Sequence, residues 1–298
     1  MKNVLTPKWA ILACRAMSIR TLAPLLAVIA TCVGAATAHA QNNRTFVSNV
    51  GTDTGNTECS ATAPCLTFAH AIAETSSGGE IDCLTVGDFG AVTIAIPVTI
   101  NCGGASNGRI TTNDIGILIN TSGIVNLFGL DIKGENAAVS EGNGVLIQSS
   151  GTVNIRNCKI YGFGGAGVSF SGAILVVDNV FITNTGYGIQ QNVSSGVANM
   201  TVRNSNINNS NIGIYVEDTG GTHAGASIEQ TTLAFNNYGL LVANTGAVAV
   251  LGGSTLVNNA TGASAQFGGA IYSFKNNQIG GNGSDGTPLT AYPGGPLN

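Results

Sequence analysis

Few of the 298 residues carry charge: Asp, Glu, Lys and Arg together make up 9%, aromatics 6%, and the single tryptophan, Trp9, falls among the first 40 residues. Beyond residue 40 the cations reduce to Arg44, Arg109, Lys133, Arg156, Lys159, Arg203 and Lys275, seven against 15 carboxylates, a net charge of −8. Such a chain has no basic stripe to neutralise phosphates, so no nucleic-acid partner is expected. Long apolar runs are lacking as well. A bilayer span needs ~20 apolar residues, and the run from Leu22 to Val33 stops at about a dozen.

That run follows Arg15 and Arg20 and precedes "ATAHA", whose Ala38-x-Ala40 pattern marks a cleavage before Gln41. Residues 1–40 are expected to be a signal peptide cleaved after Ala40, with Met17 an alternative start. The mature protein is then secreted, periplasmic or at the cell surface, with no membrane span.

What the sequence has is a repeat. "IRNCKI" at Ile155 to Ile160 aligns with "VDNVFI" at 177–182, "VRNSNI" at 202–207, "IEQTTL" at 228–233, "LGGSTL" at 251–256, "FKNNQI" at 274–279 and, upstream, "LFGLDI" at 127–132. Apolar residues open and close each copy. The third position holds Asn157, Asn179, Asn204, Gln230, Gly253, Asn276 and Gly129. Asn and Gly tolerate a left-handed backbone, so one tight bend there explains the choice, with Gln230 the poorest fit. A second anchor keeps step: Gly116, Gly144, Gly167, Gly188, Gly213, Gly239 and Gly262 each open a short alternating run such as "GIYVE". The mean period is about 24 residues, in the range of solenoids.

That period accommodates three strands and no helix. Alternation points Ile155, Cys158 and Ile160 inward and Arg156 and Lys159 outward. A chain that bends three times per turn and stacks like residues over like is a parallel β-helix, and Asn stacked at the bend can form a hydrogen-bonded ladder. The coils resemble the right-handed parallel β-helix of the pectin lyase-like superfamily, which habitually carries Asn in the short bend between its second and third strands. The segment Arg44 to Ile94 is similar to the N-terminal cap and first coil of secreted bacterial members. The expected fold is therefore all-β: a single-stranded right-handed parallel β-helix of about nine coils with a short N-terminal capping helix. The boundaries expected are 41–80 for the cap, 81–280 for the β-helix and 281–298 for a Gly/Pro-rich tail.

Cys59, Cys65, Cys83, Cys102 and Cys158 remain after the leader. Spacing favours Cys59–Cys65, across "SATAP", and makes Cys83–Cys102, about one coil apart, a further pair, although spacing alone does not fix connectivity. Cys158 is read as a buried, inert thiol. Cys65, Phe68, Ala69 and Ile72 form one face of a short helix running from near Pro64 to Gly78-Gly79 and plugging the first coil. His70 lies off that face and is read as solvated. The tail has too many Gly and Pro residues for a strand, and an end it leaves uncovered invites self-association.

The resemblance places a catalytic site on the outward face of the glycine-led strands. A hydrolase needs neighbouring carboxylates and a lyase a basic residue beside acidic calcium ligands; that face offers one carboxylate and no Lys or Arg, so no family catalytic residue transfers. The candidate cluster is the turn "YVEDTGGTHAG", where Glu217, Asp218 and His223 supply acid–base groups and Tyr215 a surface for stacking a sugar ring, weighed against a solvated acidic loop. Glu135 and Glu141 belong to a polar insertion. Asp114 has too few charged neighbours for calcium, and neither metal nor cofactor is expected. Three readings stay open: a non-catalytic secreted or surface protein binding polysaccharide or cell-surface glycan, a polysaccharide lyase or hydrolase centred on Tyr215 to His223, and a self-associating adhesive module.

Overall fold

The computed structural model describes residues 41–103, 108–135 and 142–293; the leader expected over 1–40, Glu141 and residues 294–298 lie outside the described residues. The chain winds into three parallel sheets, two of nine strands and one of eleven. The first sheet runs from Asn42–Val47 through Thr75–Cys83, Val98–Asn101, Ile124–Phe128, Thr152–Arg156, Ile174–Asp178, Val197–Arg203, His223–Glu229, Ala247–Gly252 and Ala270–Ser273 to Thr290–Ala291. The second stacks strands such as Leu130–Gly134, Lys159–Tyr161 and Phe181–Thr183, and the third the glycine-led strands such as Tyr187–Val193 and Ile212–Asp218. Nine strands in each of the second and third sheets give nine rungs and eight rung-to-rung steps. Each strand returns to its own sheet through the other two, a crossover that twisted parallel strands make right-handed.

Three inward columns form the core. Ile100, Leu127, Ile155, Val177, Val202, Ile228 and Leu251 stand in register in the first sheet. Ile110, Ile132, Ile160, Ile182, Ile207, Leu233 and Leu256 do so in the second, and Val92, Ile117, Val145, Val168, Ile189, Ile214 and Leu240 in the third. All are buried. A one-residue slip would turn each column to solvent, so burial itself fixes the register.

Both short corners are left-handed. Between the first and second sheets Gly129, Asn157, Asn179, Asn204, Gln230 and Gly253 have φ between 47° and 71°, Gln230 included. The last copy departs from its sequence alignment: Lys275 (φ 65°), not Asn276, is the left-handed residue. Leu251 pairs with Ser273 and Leu256 with Ile279, so one residue is inserted, and Asn276 instead accepts the Gly253 amide proton at 2.8 Å. The corner between the second and third sheets, which the alignment did not single out, is left-handed at Asn184, Asn209, Phe235, Asn258 and Gly281. It carries an internal ladder: the Asn236 Nδ2 donates to Asn259 Oδ1 at 3.1 Å and the Asn259 Nδ2 to Asn282 Oδ1 at 3.0 Å. The glycine column has its own cause. A Cβ on Gly144, Gly167, Gly213 or Gly239 would come within 2.7 Å of the carbonyl oxygen of the next glycine.

The capping helix is shorter than its apolar spacing suggests, Phe68–Glu74, capped by Thr67, whose hydroxyl accepts from the His70 amide at 3.1 Å. Cys65 cannot join it because it is bound to Cys59 and bridged to Val47. Its buried face is Phe68 and Ala71, with Ala69 exposed, and Gly78-Gly79 sit inside the following strand. Phe68 meets Phe89 edge-on at 5.2 Å, which seats the helix on the first rung. His70 is not free in solvent: its Nε2 lies 2.6 Å from the Asn56 carbonyl oxygen. At the other end, Ser284–Gly286 and Thr290–Ala291 are strands despite their Gly and Pro neighbours, because the rung beneath supplies their partners. The second disulfide, Cys83–Cys102, joins the first two rungs.

Candidate functional site

The corner between the first and second sheets is where the scarce charges collect. The last outward position of the first sheet holds Arg156, Asp178, Arg203 and Glu229 on successive rungs. The first outward position of the second sheet holds Asp88, Arg109, Asp131, Lys159, Phe181 and Asn206 on successive rungs. Both columns follow from the repeat: one outward residue directly precedes the left-handed bend and the other comes two places after it, beyond a buried residue such as Leu130, Cys158 or Val180.

The two columns are internally paired. Arg203 Nη2 reaches Asp178 Oδ2 at 3.0 Å, and Asn204 Nδ2 donates to Asp178 Oδ1 at 3.0 Å. The Asn204 hydrogen bond first, and then Arg203, hold the Asp178 carboxyl below the usual range. The expected Asn ladder is therefore partial: Asn179 Nδ2 donates to Asn157 Oδ1 at 2.7 Å, while Asn204 turns to Asp178. Arg109 lies 3.5 Å from Asp131, and Lys159 Nζ sits 4.4 Å from the centre of the Tyr161 ring, a cation–π contact. Partial burial, then the charge of Asp131, raises the Tyr161 phenol above its ordinary value.

Three hollows follow this one corner. The first, about 170 Å³, is lined by Val86, Asp88, Arg109 and Asp131. The second, about 360 Å³, runs from Gly129 and Asp131 past Asn157, Lys159, Asn179 and Phe181 to Asn204 and Asn206. The third, about 360 Å³, lies beyond, between Glu229, Gln230, Phe274 and Asn276 over Gly252 and Gly253. Hydrogen-bonding amides, both signs of charge and the exposed Phe181 ring thus line an interrupted groove parallel to the axis. Asp88 and Asp131 are two rungs apart, ~9.6 Å at the strand spacing, but the rung between carries Arg109, whose guanidinium pairs with Asp131.

The sequence candidates are dispersed. Tyr215 and Glu217 share the outer face of the third sheet, with Tyr215 stacked on Tyr187 at 5.7 Å. Burial and then Glu217 push the Tyr215 phenol well up, and Glu217 accepts from Asn244 Nδ2 at 3.4 Å. Asp218, the next residue, is buried and accepts the Gly220 amide proton at 3.0 Å. His223 opens a first-sheet strand and borders a hollow on that sheet's outer face with Tyr272 and Tyr292. The structure keeps Tyr215 with Glu217 and brings neither Asp218 nor His223 to them: among the described residues, three metal-ligating side chains converge only at Cys59, Cys65 and His70, where the disulfide already consumes both thiols. Cys158 is buried at the second hollow, its thiol pushed up to about 11 by burial. Glu135 and Asp114 are exposed. The two columns were legible in principle, since they are the second and fifth letters of the "IRNCKI" copies, but both change character from copy to copy and matched no motif.

The family model for right-handed β-helix regions matches residues 72–225 and 115–282. No curated protein matches the chain. Among solved structures, the crystal structure of pectate lyase Pel9A is similar over 83% of this chain and 74% of its own, with a TM-score of 0.53 and 13% identity. At that identity the likeness is one of fold, which hosts unrelated activities.

Proposed function

From a chain that belongs to the right-handed β-helix family, we propose a secreted or surface-associated, non-catalytic protein that binds a polysaccharide or cell-surface glycan along its first corner. The observation that carries this reading is the alignment of three hollows on one edge of the solenoid. A linear polymer lying along the axis meets a fresh pair of outward side chains every ~4.8 Å, and amides, charges and rings at that spacing match hydroxyls, carboxylates and sugar faces. The two disulfides are compatible with an oxidising compartment.

Isothermal titration with a panel of uronate and neutral polysaccharides tests it. Wild-type binding that weakens about tenfold in a Lys159→Ala, Arg109→Ala double variant supports the groove, about 1.4 kcal/mol for that factor. Wild-type binding that the double variant retains removes it. Turnover is followed in parallel through unsaturated and reducing ends. Product from wild type overturns the non-catalytic reading, and its loss in Glu217→Ala or Tyr215→Phe would establish the enzyme reading at the Tyr215–Glu217 pair on the third sheet.

A further inference from the structure

A fourth hollow, away from the corner, lies on the outer face of the first sheet near its C-terminal end and encloses about 500 Å³. Its far wall is aromatic: Tyr272 and Tyr292 meet at 90° with centroids 6.1 Å apart, and Phe274 braces Tyr292 at 5.3 Å. Val248 and Val250 lie in the hollow between the two ends. Its near end is polar. Gly225 stands between the side chains of Asn199 and His223: a Cβ there would lie 2.5 Å from Asn199 Oδ1 and 2.8 Å from His223 Nε2. The missing side chain is thus what lets an amide oxygen and an imidazole nitrogen converge over bare backbone. Among the described residues, neither side chain has a hydrogen-bond partner within the chain.

We propose that this hollow binds a neutral saccharide ring, stacked against Tyr272 or Tyr292 with its hydroxyls between Asn199 and His223. A pyranose has an apolar face and a hydroxylated rim, the complement of a hollow with an aromatic wall at one end and an acceptor beside an imidazole at the other. Neither Lys nor Arg, Asp nor Glu lines it, so an anionic or cationic sugar would lose solvation without finding a counter-charge. No residue that lines this hollow lines the corner groove, although Phe274, which supports Tyr292 from behind, also borders the third corner hollow.

The sequence holds three histidines, His39, His70 and His223, so imidazole resonances give a sparse readout, with His223→Gln assigning the relevant one. Methyl glucoside, galactoside and mannoside at millimolar concentration are the probes. At least one is expected to shift the His223 signal and perturb tyrosine emission, with affinity falling at least tenfold in Tyr292→Ala and in Gly225→Val. Tyr292 is partly exposed near the end of the described chain, so its variant keeps the test valid if Gly225→Val fails to fold. Lys159→Ala, in the corner groove, is expected to leave this binding unchanged, which separates failure here from failure there. The proposal is overturned if no glycoside shifts His223, if Tyr292→Ala binds as tightly as wild type, or if methyl glucuronide binds as tightly as the best neutral probe.

Discussion

Cys158 shows how a single residue's environment decides its chemistry. Its thiol is enclosed by the Leu130 amide and the Arg156 carbonyl at 3.4 and 3.2 Å, and burial raises it to about 11. The folded protein should therefore resist thiol reagents at neutral pH and react only on denaturation, measurable with a chromogenic disulfide. The same shift makes a stability prediction. A thiol whose folded value exceeds its unfolded one contributes fully below about pH 9, and that contribution is lost as pH rises through about 11, at most about 3 kcal/mol. Cys158→Ala should flatten the loss in denaturant titrations across that window. Asn179 makes the complementary case for backbone. At φ 54° it sits where an L side chain is strained, so Asn179→Ala should destabilise by about 1–2 kcal/mol and Asn179→Gly by less. Positions like this were legible because Asn and Gly advertise the conformation. Phe235 and Lys275 occupy it too, and nothing in their chemistry says so; there the stacked rungs dictate the backbone and the residue follows.

Elements extend that argument from a bend to a column. The buried ladder at the second corner begins with Thr185 and Ser210, whose hydroxyls meet at 2.8 Å, and continues through Asn236, Asn259 and Asn282. Its letters change from hydroxyl to amide along the chain, which is why a search for identical residues passes over it, whereas the residue three places later is glycine on the first four of these rungs, Gly188, Gly213, Gly239 and Gly262. Asn259 is buried within it. Its Nδ2 donates to the Leu233 carbonyl at 2.9 Å as well as to Asn282, and its Oδ1 accepts from the Asn236 amide at 3.0 Å. Asn259→Leu would strand a buried carbonyl and a buried amide, each costing about 1–3 kcal/mol, so a loss of several kcal/mol is expected in urea titration. Asn282→Leu, at the exposed end, should cost less. The capping helix has only seven residues and cannot stand alone. Its sequence period announced a helix but not its length, because the disulfide that withholds Cys65 is a tertiary constraint. Phe68→Ala should cost about 3–5 kcal/mol.

At the scale of the molecule, the repeat made the solenoid legible while leaving its working surface obscure. Core columns are apolar in nearly every copy, so they announce themselves; the corner groove is assembled from one variable residue per rung, and Asp131, Lys159 and Phe181 become neighbours only once the rungs are stacked. The open end obeys the same logic and gives the last prediction. The last strands among the described residues, Ser284–Gly286 and Thr290–Ala291, are two or three residues long, with Asp285 inside the first and Pro288 between them, the features that make an edge a poor template for another chain. Beneath them lie Thr261–Gln266 and Ala270–Ser273, longer strands whose Ala263 and Ile271 are buried. Removing residues 284–298 should therefore convert a monomeric solution into one that self-associates, seen as a rise in mass by light scattering at unchanged far-ultraviolet dichroism. A truncated chain that remains monomeric would mean the penultimate rung is itself a blunt edge. A full chain that self-associates would instead return the end of the solenoid to the adhesive reading.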